Sequence, residues 1–185
     1  MEKKKSELVR ITSKELQTVY SVKGLRENYG EVRKIEQSIE SDAPTLSLLV
    51  NSLGTSKIEN YIKLWIINLM QSLDLKRTLS ENQIDECAFL IVSTYRSMKV
   101  TDINIIFNEA KLGKYGEFYE SLTMSKILLW FRMYEEERQQ AWEFKSQREA
   151  QSYKYNAPRN NKTESIRDQK AVVLNSKDLN QLKNK

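Results

Sequence analysis

Three stretches decide the fold: residues 80–95 (SENQIDECAFLIVSTY), residues 101–116 (TDINIIFNEAKLGKYG) and residues 123–134 (TMSKILLWFRMY). In each of them apolar residues recur three or four positions apart, which places their side chains on one face of an α-helix. Short connections join the stretches, so the region from Leu79 to Trp142 predicts three amphipathic helices packed together. The apolar faces comprise Ile84, Cys87, Ala88, Ile91 and Tyr95, then Ile103, Ile106, Phe107 and Ala110, and then Met124, Ile127, Leu128, Phe131 and Tyr134.

Capping residues mark where these helices begin. Ser80 and Gln83 have the spacing of a capping box, in which each side chain bonds the backbone amide of the other residue. Thr101 is predicted to cap the second helix, with Asp102 in its first turn, where the helix dipole favours a carboxylate. Thr123 is predicted to cap the third helix.

A glycine-containing turn follows the second helix, with the sequence KLGKYG at residues 111–116. Gly113 is expected in the left-handed conformation that ends many helices. Lys111 and Lys114 lie beside glycine amides that a phosphate group could approach. The turn matches neither a Walker A loop nor a dinucleotide fingerprint. A helix end with solvated lysines and a phosphate contact therefore both remain open.

The turn also carries a resemblance, together with Tyr119, Ile127, Trp130, Tyr134 and the pair Glu137-Arg138 beyond it. With these residues, the segment Leu79–Arg138 resembles a family of small helical proteins found on phages and conjugative elements of the Bacteroidetes. The resemblance implies a phage or mobile-element context. It implies no biochemical activity and assigns no functional residue.

Composition predicts an all-α protein, a small bundle of about five to six helices with a flexible basic C-terminal tail. The 185-residue chain has only five glycines and two prolines, and 30% of its residues are charged. No histidine is present to activate the single Cys87 or to bind a transition metal. Glu135, Glu136 and Glu137 are adjacent and fan around a helix instead of converging. We therefore expect a non-enzymatic protein without cofactor or metal.

Three regions are predicted along the chain: an N-terminal helical arm (1–40), a helical core (41–144) and a basic tail (145–185), disordered or ordered by a partner. The arm is expected to be broken by Gly24 and Gly30, with a helix starting near Glu31. It could be a partner-binding element or part of the core. In the core, one helix is predicted to end at Gly54 and the next to have a broad apolar face around Trp65. The neighbouring Leu64 and Ile67 are expected to be buried within the fold; contact with a second layer or another subunit is the alternative.

The tail holds most of the positive charge. Residues 145–185 contain ten Lys/Arg and four Asp/Glu, whereas residues 1–144 contain twenty and twenty-one. This composition predicts disorder or an extended arm. Interleaved aromatic and basic side chains could stack on bases and neutralise phosphates; they are Tyr153, Lys154, Tyr155, Arg159 and Lys162. Just before the tail, Trp142 and Phe144 are either a last docking contact or an exposed binding feature.

Two functional hypotheses follow. The first is a phage or mobile-element accessory protein in DNA replication or transfer, a helicase-loader-like adaptor. It would bind single- or double-stranded DNA through Lys111, Lys114 and the tail residues, and a protein partner as well. The alternative is a protein-interaction or virion-structural subunit whose arms order on neighbouring proteins. No apolar run is long enough to span a membrane, so we expect a cytoplasmic protein. Both a monomer and a homo-oligomer remain open.

Overall fold

The computed structural model describes residues 10–73, 77–116 and 121–156, with side chains up to Ser152. These residues form eight α-helices and no strand, which confirms the all-α class. The helices are α1 (Ser13–Thr18), α2 (Val22–Asn28), α3 (Ile35–Glu40), α4 (Leu46–Leu53), α5 (Thr55–Ser72), α6 (Glu81–Thr94), α7 (Val100–Lys111) and α8 (Met124–Asn156). The predicted number of five to six was too low, because the N-terminal region forms three short helices.

Helix α5 is the central element and packs against α4, α6 and α7. Its apolar face is buried as predicted, and the Trp65 ring stacks on Phe107 with 5.6 Å between centroids. Ile67 is partly buried against the core. The predicted burial of Leu64 is wrong, since 61% of this residue is exposed. Leu64 lies just outside the stripe that α5 presents to its neighbours, so no helix covers it.

The helix ends follow the capping signals with one exception. Ser80 and Gln83 form the predicted capping box, and the Thr123 hydroxyl accepts from the Lys126 amide at 3.4 Å. The predicted cap at Thr101 is wrong, because α7 begins two residues earlier than that cap implies, at Val100, and its N-cap is Lys99. Thr101 instead lies inside the helix and is fully buried.

Two glycines confirm the predicted helix ends. Gly54 follows α4 with φ +89°, and Gly113 follows α7 with φ +81°. Both values lie in the region that residues with a Cβ rarely adopt. The chain therefore changes direction at these positions without strain.

The described part of the N-terminal region belongs to the core. Leu16 and Leu25 are buried in the main apolar cluster. The predicted break at Gly24 is wrong, because this residue lies within α2. A Cβ at Gly24 would be 1.8 Å from the Thr18 carbonyl oxygen, so glycine here permits the close approach of α1 and α2. The helix expected from Glu31 begins only at Ile35, as α3.

Helix α8 is longer than the change in composition suggests. The chain divides into two units, residues 1–144 and residues 145–185, yet α8 runs without a break to Asn156. Residues 145–156 are therefore helical and not extended. The rest of the predicted tail lies outside the described residues.

Candidate functional site

A buried carboxylate joins three helices in the first unit. Asp102 is fully buried and accepts hydrogen bonds from the Ser38 hydroxyl at 2.5 Å, the Tyr134 hydroxyl at 2.8 Å and the Lys99 amide at 2.7 Å. The Arg138 guanidinium faces the same group, with Nε 3.2 Å from Oδ2. Burial, followed by the charge of Asp102, raises the pKa of Tyr134. With so many partners, the carboxylate has a structural role, fixing α3 and α8 to the start of α7.

The predicted phosphate turn does not present Lys114 as an unpaired cation. Its Nζ lies 3.0 Å from Glu109 Oε1 and 2.8 Å from Glu137 Oε2, and 5.7 Å from the centre of the Tyr115 ring. Burial acts to lower the pKa of Lys114, but hydrogen bonds to the two carboxylates outweigh it, and the pKa is raised. Two acidic groups thus offset the positive charge at this end of the turn.

Lys111 has different surroundings. Its Nζ donates to the Asn68 side-chain oxygen at 2.9 Å. Burial, and then the positive charge of Arg26, lowers the pKa of Lys111. The Arg26 guanidinium, far from Lys111 in the sequence, therefore acts on it as a like charge. An anion placed near both would relieve that repulsion.

A cavity of about 390 Å³ lies beside Arg26, between α2, the segment after it and one face of α7. Arg26 and Arg33 line it, with the side-chain amides of Asn104 and Asn108. Arg33 Nε donates to the Gly30 carbonyl at 3.0 Å, and Asn108 donates to Asn104 Oδ1 at 3.0 Å. The Arg26 side chain makes no hydrogen bond or ion pair with the described residues. Guanidinium and amide groups are the donors that bind oxyanions such as phosphate.

One acidic residue, Glu109, also lines this cavity. Its carboxylate is already engaged by Lys114 and by the Tyr115 hydroxyl, which donates to it at 2.7 Å. Burial, and then the hydrogen bond to Glu109, raises the pKa of Tyr115. Glu109 is therefore offset by its own partners, and the cavity remains a candidate anion-binding site.

The other residues predicted to contact nucleic acid lie in the second unit, residues 145–185. Its first residues continue α8, with Arg148 exposed on the helix. The helix also contains Tyr153, Lys154 and Tyr155, but the structure does not describe the positions of their side chains. Arg159 and Lys162 lie outside the described residues altogether.

Sequence reasoning missed Arg26 and Arg33. Neither residue lies in a recognisable motif, and their relation to Lys111 and Asn104 arises only when α2 packs against α7. The spacing of the basic residues in the sequence does not distinguish these two arginines from the others.

Several apolar side chains of the first unit are exposed. Trp142 and Phe144 are 59% and 68% exposed. Of the two predicted alternatives, a last docking contact or an exposed binding feature, the exposure agrees with the second. Leu129 and Met133 are exposed one turn apart on the same helix. At 100° per residue, Met133 and Phe144 fall within about 20° of each other around α8. Leu129, Met133 and Phe144, called the apolar strip, thus share one side of α8, which also carries the polar Glu137 and Gln140.

No model of a known protein family, no curated protein and no solved structure matches this chain. Within the described ranges, no three His, Cys, Asp or Glu side chains are grouped as metal ligands. Among the described helices, none has both the length and the apolar character needed to cross a membrane.

Proposed function

We propose that this chain is a non-enzymatic accessory protein that binds nucleic acid through phosphate contacts. The observation that carries the proposal is the pair of guanidinium groups, Arg26 and Arg33, that line the cavity between α2 and α7, with Lys111 at the end of α7. Arg26 has no partner among the described residues, and Lys111 is held near a like charge. A phosphate oxygen would neutralise both and accept from the adjacent amides.

The basic C-terminal residues supply a second contact. Residues 145–185 carry a net charge of +6, the excess of ten Lys/Arg over four Asp/Glu. Such a segment attracts any polyanion and releases counterions on binding. Tyr153, Lys154, Tyr155, Arg159 and Lys162 are its proposed base-stacking and phosphate-binding residues. In this proposal the tail supplies much of the affinity, and the cavity on the first unit orients the bound strand.

The biological context is a further part of the proposal. The resemblance of residues 79–138 to helical proteins of Bacteroidetes phages and conjugative elements implies a phage or mobile-element context, and within that context we propose a role in DNA replication or transfer. A helicase-loader-like adaptor in the bacterial cytoplasm would need both a DNA contact and a protein contact. The exposed apolar strip on α8 is a candidate for the protein contact.

Fluorescence anisotropy with labelled single- and double-stranded oligonucleotides tests the DNA contact. We expect the full chain to bind at 50 mM salt and to lose affinity steeply toward 200 mM. The double variant Arg26→Ala/Arg33→Ala should bind about tenfold more weakly at the lower salt. The control Lys14→Ala/Arg96→Ala removes equal charge from exposed positions outside the cavity and should stay within about twofold. Equal losses in both double variants would reject the cavity as a site, and no binding by the full chain would reject the proposal.

The second candidate function is a protein-interaction or virion-structural subunit. The strip of Leu129, Met133 and Phe144 favours it, since exposed apolar side chains on one side of a helix are typical of protein contacts. Multi-angle light scattering at two protein concentrations would detect self-association. We expect Met133→Ser/Phe144→Ser to abolish any dimer, and the exposed control Phe89→Ser to leave it unchanged.

A further inference from the structure

A groove lies between the two N-terminal helices, α1 and α2, and one side of α5. Its volume is about 660 Å³, within the range of small-molecule sites, roughly 300–1,000 Å³. Apolar side chains make up much of its lining: Leu16, Val22, Tyr61, Leu64 and Trp65. The groove thus offers a surface on which an apolar group could be removed from water.

The exposure of Leu64 belongs to this groove. It is the α5 residue that the sequence predicted to be buried, yet no described helix covers it. An exposed leucine alone has no special meaning. Here it borders a concave apolar surface, and the neighbouring Tyr61 and Trp65 are almost fully buried. A ligand lying in the groove would bury Leu64 as well.

The charged residues that line the groove have one sign. Lys23 and Lys57 line it, and none of the described residues in its lining is acidic. Lys57 Nζ donates to the Ser13 hydroxyl at 3.2 Å. Lys23 is 3.7 Å from Glu27 in an exposed pair, which contributes little binding energy in water. Both ammonium groups are therefore available to an anion, and an incoming cation would meet repulsion.

Two buried aromatic side chains, Tyr61 and Trp65, form the floor of the groove. The Tyr61 hydroxyl donates to the Tyr20 carbonyl at 2.7 Å, and burial raises the pKa of this tyrosine. The hydroxyl is therefore already used within the fold, and the floor presents aromatic surface to a ligand.

We propose that the groove binds a small amphipathic carboxylate, a molecule with an aliphatic or aromatic body and one anionic head. The body would lie against Leu64 and Tyr61, and the head would pair with Lys57 and Lys23. The size, the apolar lining and the one-signed charge all fit this class. A nucleic acid fits less well, since no arginine is among the described residues that line the groove and its surface is largely apolar. The site is independent of the proposed DNA contact.

Isothermal titration calorimetry with the full-length protein tests the proposal, using decanoate below its micelle concentration as the probe. Two further probes of equal chain length separate the contribution of the anionic head from that of the apolar body. 1-Decanol has no charge, and decyltrimethylammonium has the opposite charge. We expect decanoate to bind about tenfold more tightly than decanol, the effect of one charge-assisted contact. The cationic probe should bind most weakly.

Two exposed substitutions and a matched control locate the site. Leu64→Ser should weaken all probes, whereas Lys57→Ala should weaken decanoate alone and bring it close to decanol. Lys63→Ala on the same helix is the control, because Lys63 pairs with Asp85 at 2.8 Å and does not line the groove. Unchanged thermal unfolding would show that each variant is folded. The proposal is overturned if decanoate does not bind, if the three probes bind equally, or if Lys57→Ala and Lys63→Ala have the same effect.

Discussion

The Tyr134 hydroxyl donates a hydrogen bond of 2.8 Å to the buried carboxylate of Asp102. Tyr134 lies on α8 and Asp102 in the first turn of α7, so this bond joins the two helices on either side of the glycine turn. Arg138, one turn further along α8, faces the same carboxylate. The turn and its lysines are therefore held between two helices that are fixed to each other at a polar point.

Removing either partner should destabilise the fold, but to different degrees. Asp102→Ala leaves Arg138 and two hydroxyl groups without their shared acceptor, and we expect a loss of about 3–5 kcal/mol in the free energy of unfolding. Tyr134→Phe removes one donor from a carboxylate that keeps its others, and the loss should be about 1–3 kcal/mol. Urea denaturation followed by circular dichroism measures both.

The control for Tyr134→Phe is Tyr29→Phe. The Tyr29 hydroxyl donates to Asp42 at 3.1 Å, but in an exposed position. Water can replace that bond, so the free energy of unfolding should change by less than about 0.5 kcal/mol. Equal effects of the two substitutions would contradict the structural role assigned to Asp102.

The stability of the protein should fall at alkaline pH. Burial raises the pKa of Tyr61 and Tyr134 above the ordinary value of 10.0, and it raises the pKa of Cys87 from 9.0 to about 12. The folded protein keeps these groups neutral where the unfolded chain ionises, so unfolding releases protons. Their contribution is complete below about pH 9 and is lost as the pH rises, at roughly 1.4 kcal/mol per pH unit for each buried group.

Urea denaturation at intervals of half a pH unit would show this decline. Cys87→Ala should remove the part of the decline that begins near pH 9, leaving the part that begins near pH 10, where tyrosines ionise. A free energy of unfolding that stays constant to pH 11 would contradict the burial of these three side chains.

Features encoded within a few residues were predictable from the sequence. The capping box of Ser80 and the left-handed Gly113 depend on neighbours within one helical turn, and both occur as predicted. The cap of α7 was misassigned because Thr101 and Asp102 are both good first-turn residues. The carboxylate of Asp102 accepts from the Lys99 amide, and this bond moves the start of the helix to Val100.

Features that depend on distant residues were not predictable. Lys111 and Lys114 have similar sequence surroundings in the turn. In the structure, however, Lys114 donates a hydrogen bond to Glu137 of α8, whereas Lys111 donates one to Asn68 of α5. The approach of Arg26 to Lys111 likewise requires the packing of α2 on α7. A single sequence has no signal for such pairs, since their positions depend on how the apolar faces assemble.

Gly24 offers a direct test of the packing of α1 on α2. A Cβ at this position would be 1.8 Å from the Thr18 carbonyl oxygen and 2.6 Å from that of Val19. These are backbone atoms, so relief requires the two helices to separate. We expect Gly24→Ala to cost about 3 kcal/mol, the upper end of the overpacking range. Gly113→Ala has open space but a positive φ, and it should cost about 1–2 kcal/mol. The reverse order in urea denaturation would contradict the arrangement of α1 and α2.

The salt dependence of DNA binding distinguishes the two kinds of cation in the first unit. A cation that contacts phosphate contributes about one unit to the slope of log affinity against log salt concentration. Arg26→Ala should therefore reduce the magnitude of the slope by about one unit. Lys114→Ala should leave the slope unchanged, because Glu109 and Glu137 already neutralise its charge. Glu137→Gln removes one of these carboxylates and should strengthen binding. Anisotropy titrations at four salt concentrations give the slope for each of the three variants. A larger decrease in slope for Lys114→Ala than for Arg26→Ala would show that the glycine turn, and not the cavity, contacts phosphate.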